Sequence, residues 1–444
     1  MSACAIEGES AGVAVTVDPT SGEAKEPGGS DEPEEPDGLI EPGGQGEFGE
    51  PSVAAGLGGS ARPGGAAAAV GAGTFIIAAD GSYAARLTLA GQAPDAAWFP
   101  ERWTLDGPEP YAVPLPLDQP EEPDSDVLPL ADGRVLIRRR VADRHAFSLL
   151  YPIGPGTGEL HLGTLGYADD TPLTLLPPSP DGASAYALSV GEHSTAVWLV
   201  AGGAFGPEQV AEVPGRCSGG VWLDRAGRML ALDREPVGGG PVKAVAVDLD
   251  RGGEATPLLQ ITPDSNDRLL LADADSGLLL IRSDAPGHDR LGWGVLGSCL
   301  PVRFPECLRL ADIALTPFAV QPGQTLMPES CAVALRIDGA AGSWVGVWRP
   351  VGRRLHQLAA PEGWLVGSGL WTRDGFLKLP YADRDVPCGV ALLQAPEDGE
   401  RGAGSTWTAV AESGRQPSAA AAPLPVCKAV PLGEAPLMGR TAPG

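Results

Sequence analysis

The chain has 444 residues, 62 of them Gly and 45 Pro, and a formal net charge of −26 at pH 7. Such a polyanion repels a phosphate backbone unless Lys and Arg gather on one face. The only basic run, Arg138-Arg139-Arg140, would be split between two faces of a strand and reads as an exposed strand end, so nucleic acid is not an expected partner.

From the N-terminus, residues 1 to 69 hold 13 acidic and 2 basic side chains among 15 Gly and 7 Pro. A segment of this composition cannot bury enough apolar surface to offset its conformational entropy and is expected to be a disordered acidic tail. Its one strand-like run, GVAVTVD at 12 to 18, reads as extended and unpaired rather than as an added outer strand. No basic, apolar-cored leader opens the chain, Cys4 lacks a lipobox, and no apolar run reaches the roughly 18 residues of a membrane helix. The expectation is a cytoplasmic protein without a membrane partner.

Residues 70 to 412 repeat one unit, clearest from Leu173 to Val213: LTLL, the turn SPDG, SAYALSV, the turn GEHS, TAVWLV, a Gly-rich link and QVAEV. Short apolar or alternating runs closed by Gly, Pro, Asp or Ser predict four antiparallel strands joined by tight turns. The first-turn glycine recurs as Gly81, Gly133, Gly182, Gly227, Gly277, Gly323 and Gly375, at a mean spacing of about 49 residues, which is a propeller-blade period. Asp precedes four of these glycines, where its side chain can accept from nearby amides while Gly supplies a positive φ. A third-strand run recurs as AFSLLY, TAVWLV, KAVAVDL, LGWGVL, SWVGVW and CGVALL. The fold class is therefore all-β: a seven-bladed β-propeller of four-stranded antiparallel blades. Trp198, Trp293, Trp344 and Trp348 are predicted to pack between blades. The Asp273 to Gly277 stretch, although similar to the start of a calcium loop, is assigned to a hairpin turn.

The turn Ser179-Pro180-Asp181-Gly182 followed by AYAL resembles the repeat of TolB-like, PD40 and WD40-like propellers. One blade keeps that turn in full, the others keep Asp-Gly or Gly alone, and there is no Trp-Asp dipeptide. The resemblance covers about residues 70 to 412 as architecture. It implies a binding platform, with a minority of enzymes among such propellers. The Pro/Ala-rich residues 413 to 444 form a second tail. Ring closure is expected to use a strand from 426 to 437 or from the run Ala72 to Ala79.

Catalytic signatures are missing. No Gly-Lys pair exists for a phosphate loop, and there is no Gly-x-Ser-x-Gly elbow or His-Glu-x-x-His helix. Seven widely spaced cysteines without a Cys-x-x-Cys pair argue against a zinc ribbon and a disulfide framework, and read mostly as buried thiols.

Blade topology nevertheless sorts polar residues. First-to-second and third-to-fourth turns share one rim; second-to-third loops and interblade links share the other. His145, His193 and His288 fall on that second rim, in loops of different blades too far apart to share a metal. Nearer the axis, the links bring Asp124, Asp126, Asp169, Asp170, Arg216, Asp264, Asp267, Arg268, Glu306, Asp312, Glu362 and Trp364. Loops on a rigid scaffold are where binding function concentrates. The candidate binding residues are therefore Asp169, Asp170, Arg216, Asp264, Asp267, Arg268, Glu306, Asp312, Glu362, Trp364, His145, His193 and His288, with no catalytic or metal-ligating set among them.

Nine acidic side chains against two arginines make the channel mouth strongly negative. The expected function is a monomeric, cofactor-free, non-enzymatic scaffold binding a protein through a basic peptide segment. The alternative is a propeller enzyme of lyase or lactonase type, using these acids and a divalent cation. A structural subunit of a larger assembly is a third class. Brief proteolysis of the full chain should remove the residues before about Gly71 and leave a resistant fragment of roughly 340 to 370 residues; equal protection of the first 60 residues contradicts a disordered tail.

Overall fold

The computed structural model describes residues 74–90, 96–166, 171–310, 312–323, 326–340, 342–396 and 408–410, all within one compact unit, Gly65–Gly444. The stretches 1 to 69 and 413 to 444 lie outside the described residues, as do GVAVTVD and the expected closing strand at 426 to 437. Among the described residues, no helix is long and apolar enough to cross a membrane.

The unit is a seven-bladed β-propeller. Its innermost strands are Ile76–Ile77, Asp126–Pro129, Leu173–Leu175, Arg216–Trp222, Asp267–Ala272, Ala314–Val320 and Leu370–Trp371. Each leads through a tight turn to a second strand and then to a third, the third strands of blades two to seven being the six runs read from the sequence. Six blades end in a regular outer strand. Blade five instead keeps three strands, and a single bridge between Trp293 and Arg303 stands where its fourth would lie. Blades four and five also share one parallel pairing, Lys243 with Asp267.

Why the blades assemble follows from alternation. In the second strand of blade four, Met229–Glu235, Leu230 and Leu232 pack on blade three while Ala231 packs on blade five, and all three are buried. A strand apolar on both faces must have a neighbour on each side. The buried apolar side chains accordingly form seven clusters, one for each blade–blade interface. Trp348 is buried between blades five and six with Trp293, and Trp198 packs at the interface of blades two and three.

The seventh cluster closes the ring. Phe75, Trp103 and Leu105 of blade one meet Val390 of blade seven, and the Ser368 hydroxyl donates to the Phe75 carbonyl at 3.0 Å. Among the described residues, each blade is one contiguous stretch of chain; Ile76–Ile77 is the inner strand of blade one, and Thr408–Val410 is the outer strand of blade seven.

All seven period glycines lie in first-to-second connections, and six of them adopt a positive φ of 70 to 82°. Asp80, Asp132 and Asp181 accept the amides two residues on, as the sequence predicts, and Asp224 does the same for Arg228 and Met229. Gly323 is kept for a different reason. Its amide donates to Asp273 at 3.0 Å, and an added Cβ would sit 2.4 Å from the Ser276 side chain of blade five. Asp273 also accepts from the Ser276 amide and hydroxyl, which confirms a turn there.

At Gly182, a Cβ would meet that of Ala131 at 2.6 Å, on a backbone of φ +70°. Gly182→Ala should therefore lower stability by about 2–4 kcal/mol, and Gly252→Ala, at φ +67° in open space, by only about 1–2 kcal/mol. Urea unfolding of both variants checks the difference.

Candidate functional site

The structure divides the residues expected at the rim into those consumed by blade contacts and those left free. Asp267 opens the inner strand of blade five and is fully buried. Its carboxylate accepts from the Ser265 hydroxyl at 2.9 Å, the Ser283 hydroxyl at 2.6 Å and the Ile261 amide at 2.9 Å, and it pairs with Lys243 Nζ of blade four at 2.8 Å. With its bonding positions filled, Asp267 is an interblade tie and not a mouth residue. Arg268, on the opposite face of the strand, lies 3.7 Å from Asp233.

Asp233 was not foreseen from the sequence, although the alternation of MLALDRE places it on the face of Ala231, against blade five. There it accepts the Leu269 amide at 3.0 Å. Burial pushes its pKa up to about 6, outweighing that hydrogen bond and Arg268.

A second tie lies in blade two. Arg138 is buried, with Nε 2.6 Å from Asp126 Oδ2 and Nη1 donating to His145 Nδ1 at 3.1 Å. Arg139 points the other way and holds Glu121 with two bonds of 2.7 Å and Glu159 with one of 2.5 Å. The arginine run is thus no exposed strand end; only Arg140 is exposed. His145 is buried, and burial, then Arg138 and Arg140, push its pKa down to about 4. Burial raises the Asp126 carboxyl against the pull of Arg138.

Trp364 is also core. It is 7% exposed, donates its indole N–H to the Ser368 carbonyl at 2.9 Å and packs against Phe318 at a ring separation of 5.8 Å. Glu306 is exposed but pairs with Arg290 at 2.9 Å. His193 and His288 are exposed on loops of blades three and five, and Arg216 is exposed at the start of its inner strand. Asp169 and Asp170 lie outside the described residues.

Exposed carboxylates with no ion-pair partner among the described residues remain on four links: Asp124, Asp264, Asp312 and Glu362. Asp312 holds a φ of 59°, one of two non-glycine residues with positive φ among those described. No group of three or more His, Cys, Asp or Glu among the described residues is placed to hold a metal ion. The wall of the central channel was not anticipated. A cavity of about 370 Å³ runs along the inner strands, walled by Ile76, Ile77, Leu271, Phe318, Val320 and Leu370. Apolar inner-strand side chains therefore lie inside a ring whose links carry charge.

No family model matches the chain, and no curated protein matches it. Solved structures similar in fold include TolB from Acinetobacter baumannii, 11% identical over 72% of this chain and 79% of that one, with a TM-score of 0.38. The β-propeller domain of the trilobed protease from Pyrococcus furiosus is 10% identical over 76% and 94%, at 0.45. Prolyl oligopeptidase B from Galerina marginata is 12% identical over 72% of this chain at 0.43, and the chain covers 46% of its length. These are likenesses of fold.

His145 and Asp233 give stability opposite pH dependences. The unfolded chain protonates the imidazole near pH 6.5 and the folded chain only near 4, so stability is lost as pH falls through that window. Asp233 binds its proton more tightly when folded, so its contribution falls as pH rises from about 4 to about 6. His145→Gln should remove roughly 3 kcal/mol of acid sensitivity between pH 6.5 and 4, and Asp233→Asn should remove the opposing loss. Urea unfolding as a function of pH checks both; curves parallel to wild type contradict the assignments.

Proposed function

We propose that this protein is a non-enzymatic propeller scaffold that binds another protein through a basic segment laid on the acidic links of its loop rim. The observation that carries the reading is the set of exposed carboxylates without an ion-pair partner among the described residues, Asp124, Asp264, Asp312 and Glu362, distributed over four interblade links that share one rim by strand direction. Exposed carboxylates on short links are already oriented and lose little hydration on meeting a cation. The apolar channel wall, much of it toward the turn ends of the inner strands, is a receptacle for a hydrophobic side chain of a segment that enters the channel.

The rim is narrower than composition suggests. Asp126 and Asp267 are withdrawn into blade contacts, and Glu306 is matched by Arg290. The substitutions that test it are therefore Asp264→Asn, Asp312→Asn and Glu362→Gln together, with Asp80→Asn, Asp132→Asn and Asp181→Asn on the opposite rim as control.

Fluorescence anisotropy with labelled peptides carrying paired arginines around a Leu or Phe reads the affinity. Binding should weaken steeply from low to physiological salt, because exposed charges are screened over about 8–10 Å. The first triple variant should lose about tenfold in affinity, or about 1.4 kcal/mol. The second should lose hairpin stability and keep binding. Affinity indifferent to salt and to the first triple substitution contradicts the proposal.

A further inference from the structure

The same rim carries a site of opposite sign. Between blades five and six a cavity of about 520 Å³ is bounded by Arg282, Arg290, Arg309 and His288 over a floor that includes Leu308 and Leu315. Its volume lies within the roughly 300–1,000 Å³ of small-molecule sites, and an apolar floor with a few converging polar groups is their usual make-up.

Two of the arginines are held in place by backbone carbonyls. Arg290 Nη2 donates to Phe304 and Pro305 at 3.3 and 3.2 Å while its Nη1 meets Glu306 at 2.9 Å, and Arg282 Nη2 donates to Leu315 at 3.0 Å. Asp289 lies 3.8 Å from Arg282, beyond hydrogen-bonding reach. The Arg309 guanidinium is exposed and has no partner among the described residues. Of the three guanidinium groups, Arg290 is paired with Glu306 and Arg282 faces Asp289, so Arg309 is the one without an ion-pair partner among the described residues.

We propose that this cavity binds a small organic acid: a single carboxylate met by Arg309 and the free edge of Arg282, with an aliphatic or aromatic body lying on the leucine floor. One guanidinium without a partner matches a single carboxylate. A phosphate dianion would leave its second charge unmatched and the leucines uncovered. The site adjoins the link that carries Asp312 but uses none of the four acidic-link carboxylates, so it stands whether or not they take a basic segment.

Titration calorimetry on the full chain, with octanoate, octanamide and inorganic phosphate as probes, tests it. Octanoate should bind, octanamide should bind at least about tenfold more weakly, and Arg309→Gln should lower octanoate affinity about fivefold or more. The exposed Arg309 holds nothing in place, so its variant should melt as wild type does; Arg282→Gln, which also releases the Leu315 carbonyl, serves as a second variant. Any one of several results overturns the proposal: no octanoate binding, octanamide bound as well as octanoate, tighter binding of phosphate alone, or unchanged octanoate affinity in Arg309→Gln. Tighter binding of a short Leu-Glu-Leu peptide than of octanoate makes the cavity a docking point for an acidic protein segment and also overturns it.

Discussion

The second strands of most blades bury apolar side chains on both faces, and the rest of the structure depends on that double burial. A single four-stranded sheet with two bare faces is unstable in water, and covering one face only moves the problem to the next sheet. A closed ring solves it for every blade at once. Burying one Leu or Val contributes about 1.5–3 kcal/mol, so an interface with seven or eight such residues outweighs any single polar contact near it. A charged side chain on one of these faces must then be matched where it stands, since leaving it unpaired costs about 3–5 kcal/mol. Asp267 with Lys243, and Arg138 with Asp126, meet that requirement.

The same constraint shapes the functional surface. Asp126, Arg138 and Asp267, which belong to paired strands, are drawn inward and matched, while Asp124, Asp264, Asp312 and Glu362 on the links keep their exposure and their sign. Blade five departs from the pattern, and a cavity opens beside it. In place of an outer strand, the chain from Gly297 to Leu310 makes one bridge and passes through a single turn of 3-10 helix at Glu306–Leu308. That irregular course sets the Pro305 carbonyl against Arg290 and brings Arg309 to the edge of the same cavity.

Spacing made the blade count and the third strands legible in the sequence, because a turn glycine at fixed intervals survives variation in everything between. The fate of individual charges was less legible. Asp267 reads as a link residue, yet pairing begins at that very position, and a shift of one residue decides whether a side chain faces a neighbouring blade or solvent. The burial of Asp233 was available from the alternation of MLALDRE, as was the division of Arg138 from Arg139; what alternation could not supply was that both faces of those strands are covered. Arg282, Arg290 and Arg309 are spread over 28 residues of sequence, and only the fold brings them around one cavity.

Each described blade is a single uninterrupted stretch of chain, and among the described residues the ring is joined by side chains and one hydroxyl bond. Blades and sequence segments therefore coincide. A duplication or loss of about 49 residues inserts or deletes one whole wedge without cutting any other, and the seam between first and last wedges differs little in kind from the six others. The number of blades in such a chain is a heritable quantity that can change in single steps, and a break moved from the present termini to another link would leave every hydrophobic interface with both of its halves.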